Sequence, residues 1–257
     1  MHAPTHPGRA DSTAAPRIAA RPLTGLAIAA GLVACWLAIH IWGIFFWHWS
    51  TATVALAMLL VAIQTWLSTG LFIVAHDAMH GTLAPGHPRL NRAVGTLCLG
   101  LYASLSFRAL LPKHMAHHRH VGSADDPDFN ADDPHRILPW FVRFFVGYYT
   151  HGQIVRITLI ALLYIFAFGA PLGNIVVFWA IPALLALGQL FVFGTYLPHR
   201  HADAPFADHH RARSATLSPA LSLLSCFHFG GYHHEHHLYP GTPWWQLPSR
   251  RPIASKD

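Results

Sequence analysis

The stretch 71-LFIVAHDAMH-80 decides the fold, because an apolar run long enough to cross a bilayer ends on two histidines, His76 and His80, spaced i and i+4. On a helix such residues share one face, so the run reads as a membrane span that delivers two imidazoles together. Two further clusters have related spacing: His114, His117 and His118 in 114-HMAHHRH-120, and His233, His236 and His237 in 233-HHEHH-237. Twenty-two histidines among 257 residues, in a chain only 11% charged, is an excess of imidazole and not of polarity in general.

Hydrophobic residues make up 53% of the chain, and apolar runs near span length recur. Leu23 to Trp47 and Thr51 to Val74 read as one transmembrane hairpin, Ile157 to Phe168 and Ile175 to Leu197 as a second, with Gly169, Pro171 and Gly173 at its turn. The first arm of the second hairpin is short unless it starts near Ile154, with Arg156 snorkelling at the headgroups. Charge gives an independent test. Neither Lys nor Arg occurs from Pro22 to Pro88 or from Ile157 to His199, so the positive-inside tendency puts both termini and the large middle segment in the cytoplasm, with all three clusters on that side.

The expected fold is therefore an all-α integral membrane protein of four transmembrane helices in two hairpins. Residues 22–248 form a single domain, preceded by a disordered cytoplasmic segment 1–21 and followed by a tail 249–257. Gly95 to Leu111 reads as a re-entrant or interfacial helix leading to His114, and the aromatic stretch Ile137 to Tyr149 as an interfacial helix. The net charge of +6 is what topology and anionic lipid require, and no basic stripe interleaved with aromatics points to nucleic acid. Cys35, Cys98 and Cys226 are isolated, so neither a disulfide framework nor a cysteine metal knuckle is expected.

Neutral imidazole suits first-row transition metals and not magnesium or calcium. The eight clustered histidines exceed what one ion needs, so two ions are the economical reading, and iron fits because zinc has no redox chemistry. A ninth ligand is expected near the end of the fourth span; His199 in Y-L-P-H-R-H is the choice, with His201 and His228 as substitutes. Asp77, Asp125, Asp126, Asp128 and Glu235 are candidates to orient the rings from behind by accepting their free N–H groups. His40, His48 and His151 read as packed or interfacial residues; His209 and His210 read as a solvated turn or as an outer layer of the site. A metal transporter would carry ionisable groups at mid-span, and these spans contain almost none.

H-D-A-M-H and the two H-x-x-H-H boxes, set around two hydrophobic hairpins, resemble the membrane fatty-acid desaturase and hydroxylase superfamily over roughly residues 23–248. The wider wording is more specific. F-I-V-A-H-D-A-M-H-G-T, H-M-A-H-H-R-H-V-G-S-A-D-D-P-D-F, F-G-T-Y-L-P-H-R and F-H-F-G-G-Y-H-H-E-H-H-L-Y-P-G-T-P-W-W-Q-L-P are similar to the bacterial beta-carotene ketolases.

That resemblance implies a non-haem di-iron oxygenase that uses O2 to oxidise C4 and C4' of beta-ionone rings. Beta-carotene would pass through echinenone to canthaxanthin, and zeaxanthin to astaxanthin. It makes His76, His80, His114, His117, His118, His233, His236 and His237 ligands to two Fe ions, matches His199 to an additional ligand, and matches Asp125, Asp126 and Asp128 to an acidic segment of these enzymes. It also implies a ferredoxin-type electron donor and residence in the bacterial inner membrane. A carotenoid beta-ring hydroxylase and a membrane fatty-acid desaturase share the boxes and stand as alternatives.

Overall fold

The computed structural model describes residues 22–202 and 204–251; the segment 1–21 expected to be disordered lies outside the described residues, as do residues 252–257 of the expected tail. Among the described residues every regular element is helical. The four apolar runs are four helices long enough to cross a membrane: Pro22–Phe46, Thr51–Met79, His151–Phe168 and Leu172–His199. We label them α1, α2, α6 and α7. Between them lie α3 (Pro88–Ala103), α4 (Phe107–His120) and α5 (Ile137–Tyr148), and after them α8 (Pro219–Cys226) and α9 (His233–Leu238). The chain closes on a 3-10 segment, Trp244–Arg250.

α2 is central, packing against α1, α3 and α7. Its buried mid-span residues Gln64, Ser68 and Thr69 each bond to a neighbouring helix, as a low-dielectric setting favours. Ser68 Oγ accepts from Trp36 Nε1 at 3.0 Å, Gln64 Nε2 donates to the Trp36 carbonyl at 3.2 Å, and Thr69 Oγ1 donates to Gln189 Oε1 at 2.6 Å. Asn174 does the same at the opposite end: it donates to the carbonyls of Ile44 and Trp47 and accepts from Trp49 Nε1. The loop between α1 and α2 is thereby pinned to the start of α7.

α6 is an outer helix with no buried residue, and Leu159, Leu163 and Phe166 stand exposed on it. It starts at His151, well before Ile157, because Thr150 caps it: the hydroxyl accepts from Gln153 N at 3.2 Å. Arg156, expected to reach for headgroups, instead donates to the Ser104 carbonyl at 2.6 Å.

Where one helix was expected over Gly95 to Leu111 there are two, α3 and α4, meeting at 100°. Ser104 adopts a left-handed conformation (φ 51°) that stops α3, and Ser106 caps α4 by accepting from Ala109 N at 3.3 Å. The corner is tight: a Cβ added to Gly95 would sit 2.3 Å from Phe107 Cε2. The bend aims α4, with its histidines, back along the end of α2. α5 anchors a small second core, in which a fully buried Trp140 packs with Phe129, Phe191 and Tyr196.

A second reversal places the C-terminal cluster. Phe227 (φ 46°) and His228 (φ 71°) are both left-handed, a conformation uncommon outside glycine. The chain then folds back so closely that a Cβ on Gly231 would lie 2.2 Å from Ser222 Oγ.

Candidate metal centre

α2 carries His76 and is capped by His80, α4 carries His114, His117 and His118, α7 ends on His199, and α9 carries His233, His236 and His237. Their rings gather in two groups. His76, His80, His114, His118 and His236 form one and His117, His199, His233 and His237 the other; within each group the ligand atoms all lie within 4.8 Å of one another. The closest approaches are Nε2 to Nε2: 2.6 Å for His80 and His114, 2.9 Å for His199 and His233, 3.1 Å for both His118 with His236 and His233 with His237.

His76 and His80 stay together in the first group, but the other two sequence clusters are each divided between the groups. His114 and His118, one full turn apart on α4, face the first group, while His117 faces the second; on α9, His233 and His237 face the second and His236 the first. Neighbouring helical positions differ by about 100° in direction, so a helix lying between two centres serves one with its i and i+4 residues and the other with the residue beside them.

Among the three residues considered for the ninth position, the structure brings His199 into a group. Its Nδ1 donates to the Arg211 carbonyl at 2.9 Å, leaving Nε2 pointed at His233. His201 packs near Phe129 and His135, and His228 packs against Tyr232 and Trp244.

The acidic residues separate sharply. Asp126 Oδ1 accepts from His117 Nδ1 and from the Asp128 amide, both at 2.9 Å, while its Oδ2 accepts from the Gly122 amide at 2.8 Å. Asp128 Oδ2 lies 3.8 Å from the same ring nitrogen. Asp125 is exposed on the outside of the turn, and its placement gives it no contact with the rings. Asp77 serves the C-terminal segment, accepting from Trp244 N at 3.0 Å, with His76 Nδ1 3.6 Å away. Glu235 is bonded to Ser214 and, at 2.7 Å, to Arg251, so close packing continues to Arg251. His40 is buried and stacked on Trp36; His209 and His210 sit in a turn with Asp208, which binds His234 Nε2 at 2.8 Å. Tyr148, which donates to Asp128, escaped the sequence reading because it is one of many aromatics on α5.

Burial governs the electrostatics. It lowers His233, His236 and His237 well below the usual imidazole range, and the charges of neighbouring rings push the same way; burial likewise brings His80 down to about 4. Neutral imidazole is the form that binds metal. For Asp126 burial works against ionisation, but the His117 hydrogen bond and two amides outweigh it and hold the carboxyl below its usual range. Burial prevails at Asp128 and raises it.

A largely apolar cavity of ≈ 440 Å³ leads away from the histidines, with Phe72, Tyr102, Phe144 and Ile157 among its walls. One face of α7 lines it from Thr195 through Leu187 and Ala183 to Ile175, roughly 30 Å at the rise of a helix.

The fatty acid desaturase family matches residues 49–159 and 149–257. A beta-carotene ketolase of a Paracoccus strain is 50% identical over 89% of this chain and 92% of its own length. The chain belongs to the beta-carotene ketolases of the fatty acid desaturase family. Other members of this ketolase family include one from a second Paracoccus strain, 46% identical over 91% of this chain and 95% of its own length. A zeaxanthin 4-ketolase of Chlamydomonas reinhardtii is 37% identical over 90% of this chain and 54% of its own.

Proposed function

We propose that this chain is a beta-carotene 4(4')-ketolase, a membrane oxygenase that converts beta-carotene through echinenone to canthaxanthin and zeaxanthin to astaxanthin. The observation that carries the reading is the convergence of nine imidazoles at one end of a long apolar cavity, in a chain half identical to a named ketolase.

The donor set fits two iron ions. Two nitrogens bound at about 2.1 Å and at right angles stand about 3 Å apart, close to the spacing of His199–His233, His118–His236 and His233–His237, with His80–His114 closer at 2.6 Å. Nδ1 of His233, His236 and His237 has no partner. His76, His80, His114, His118 and His236 would hold one ion, His117, His199, His233 and His237 the other. Bound iron would supply the activation of O2, and each methylene taken to a ketone consumes two O2, four electrons and four protons and yields three waters.

The protein's own contribution is position and exclusion of water. The apolar walls hold the polyene along α7 with one ring at the histidines, and alignment of the ring carbon accounts for a large part of the rate. Asp126 fixes the orientation of His117 and the Arg211 carbonyl that of His199. The allylic C4 position is activated by its own conjugation, so no side chain need act on it as an acid or base. With Cys35, Cys98 and Cys226 isolated, electrons come from a separate donor of ferredoxin type. Residues 22–248 act as a single catalytic unit, its spans arranged as two hairpins in the bacterial inner membrane with both termini and the histidines at the cytoplasmic side.

The test is expression in cells that make beta-carotene, followed by pigment analysis. Echinenone and canthaxanthin are expected. Zeaxanthin without ketones would replace this reading by a ring hydroxylase, and altered acyl chains with untouched carotenoid by a desaturase.

A further inference from the structure

One wall of the cavity carries a polar pair that the histidines do not account for. Asp128 and Tyr148 both line it, alongside His117 and His118, where most of the surface is apolar. Asp128 is held from three sides. The Tyr148 hydroxyl donates to its Oδ1, Trp140 Nε1 donates to its carbonyl at 2.7 Å, and its own amide donates to Asp126 Oδ1 at 2.9 Å. Its Oδ2 is directed toward His117 Nδ1 but stops at 3.8 Å, and that nitrogen already donates to Asp126 at 2.9 Å. Among the described residues no donor is bonded to Oδ2, which therefore faces the ring end of the cavity with accepting capacity to spare.

A carboxyl group against a plain hydrocarbon ring gives up water without compensation. Such a group is explained by a ligand that brings a donor. We propose that Asp128 accepts a hydrogen bond from a hydroxyl on the substrate ring, with Tyr148 as the residue that positions it. The assignment rests on the ketolase reading. Two hydroxyls have the required chemistry: the one at C3 that a hydroxylated ring brings with it, and the one that the first oxidation leaves at C4. They sit on adjacent carbons, so both present a donor to the same wall.

The hydrogen bond gives the site a means of telling an unfinished product from a finished one. An alcohol is retained against release along the apolar groove, with its remaining C4 hydrogen directed at the histidines. The ketone has no O–H to donate at that position and leaves.

The experiment uses the metal-loaded full chain in lipid nanodiscs with a reduced ferredoxin, comparing wild type, Asp128→Ala and Tyr148→Phe. With beta-carotene the readout is the ratio of 4-hydroxy to 4-keto product; with an equimolar mixture of beta-carotene and zeaxanthin it is the ratio in which the two are consumed. One lost hydrogen bond corresponds to about a tenfold change. A rise of that size in the alcohol-to-ketone ratio of Asp128→Ala identifies the C4 hydroxyl as the partner, and a matching fall in zeaxanthin preference identifies the C3 hydroxyl. Tyr148→Phe should shift the same ratio in the same direction by less. Both ratios unchanged in Asp128→Ala, at wild-type metal content, would overturn the proposal. If that variant does not hold metal, Tyr148→Phe, which keeps the carboxyl group, decides it: wild-type ratios in both assays overturn the proposal. Wild-type protein that oxidises neither carotenoid would instead sink the ketolase reading, and this assignment with it.

Discussion

His117 Nδ1 donates to Asp126 Oδ1 at 2.9 Å, and both groups are buried. The bond leaves Nε2 of His117 as the nitrogen free to bind metal, beside His199, His233 and His237. Partners of this kind typically contribute 10–100-fold to metal affinity. Asp126→Ala should therefore weaken binding at the four-histidine group by about that factor, measured by competition with a chromophoric chelator. Wild-type affinity in the variant would show that the carboxylate orients nothing of consequence.

His236 is the α9 residue that belongs to the five-histidine group. His236→Ala should reduce turnover to background and lower the metal content of purified protein, read by elemental analysis. Since His237 belongs to the other group, His237→Ala should also abolish turnover while depleting the other ion. Loss of both ions in both variants would mean that the two centres assemble only together.

The lowered His233, His236 and His237 give metal-free protein a defined response to acid. A ring that titrates near 6.5 unfolded but well below that when folded binds its proton in the unfolded state first. Stability is therefore intact above the unfolded value and falls as pH drops below it, by about 1.4 kcal/mol per pH unit for each such ring. Chelator-stripped protein in detergent should melt at clearly lower temperature at pH 5.5 than at pH 7.5, and metal-loaded protein should show a smaller difference. A flat profile for the stripped protein would contradict the burial of these rings.

Gly95 faces Phe107 across the corner between α3 and α4, with 2.3 Å available to a Cβ. Gly95→Ala should cost about 1–3 kcal/mol and displace α4, lowering the melting temperature and the metal content together. Gly100, which has nothing within 4 Å of its Cβ position, is the control: Gly100→Ala should be neutral or stabilising.

Helical spacing made the histidines legible, because i and i+4 positions announce a shared face. It left open how they divide, since His117 and His118 are adjacent in the chain yet face different groups. That division depends on how α4 is aimed, which is set by a left-handed Ser104, and serine carries no code for that conformation. Asp125 and Asp126 show the same limit: they are identical in type and consecutive, and only the path of the turn sends one outward and one to His117. The apolar runs were legible because length and composition alone define them, whereas the start of α6 rests on a capping hydroxyl at Thr150. Tyr148 had no signature, since an aromatic residue on an amphipathic helix next to spans reads first as a membrane belt.

α9 supplies rings to both groups, and α2 and α4 supply the rest together with His199. Neither group is complete until the chain has been synthesised past His237 and the turn at Phe227 and His228 has folded back. A metal ion held by these rings would be captured with full affinity only after that point, and a nascent or C-terminally clipped chain would be left with two half-built cups.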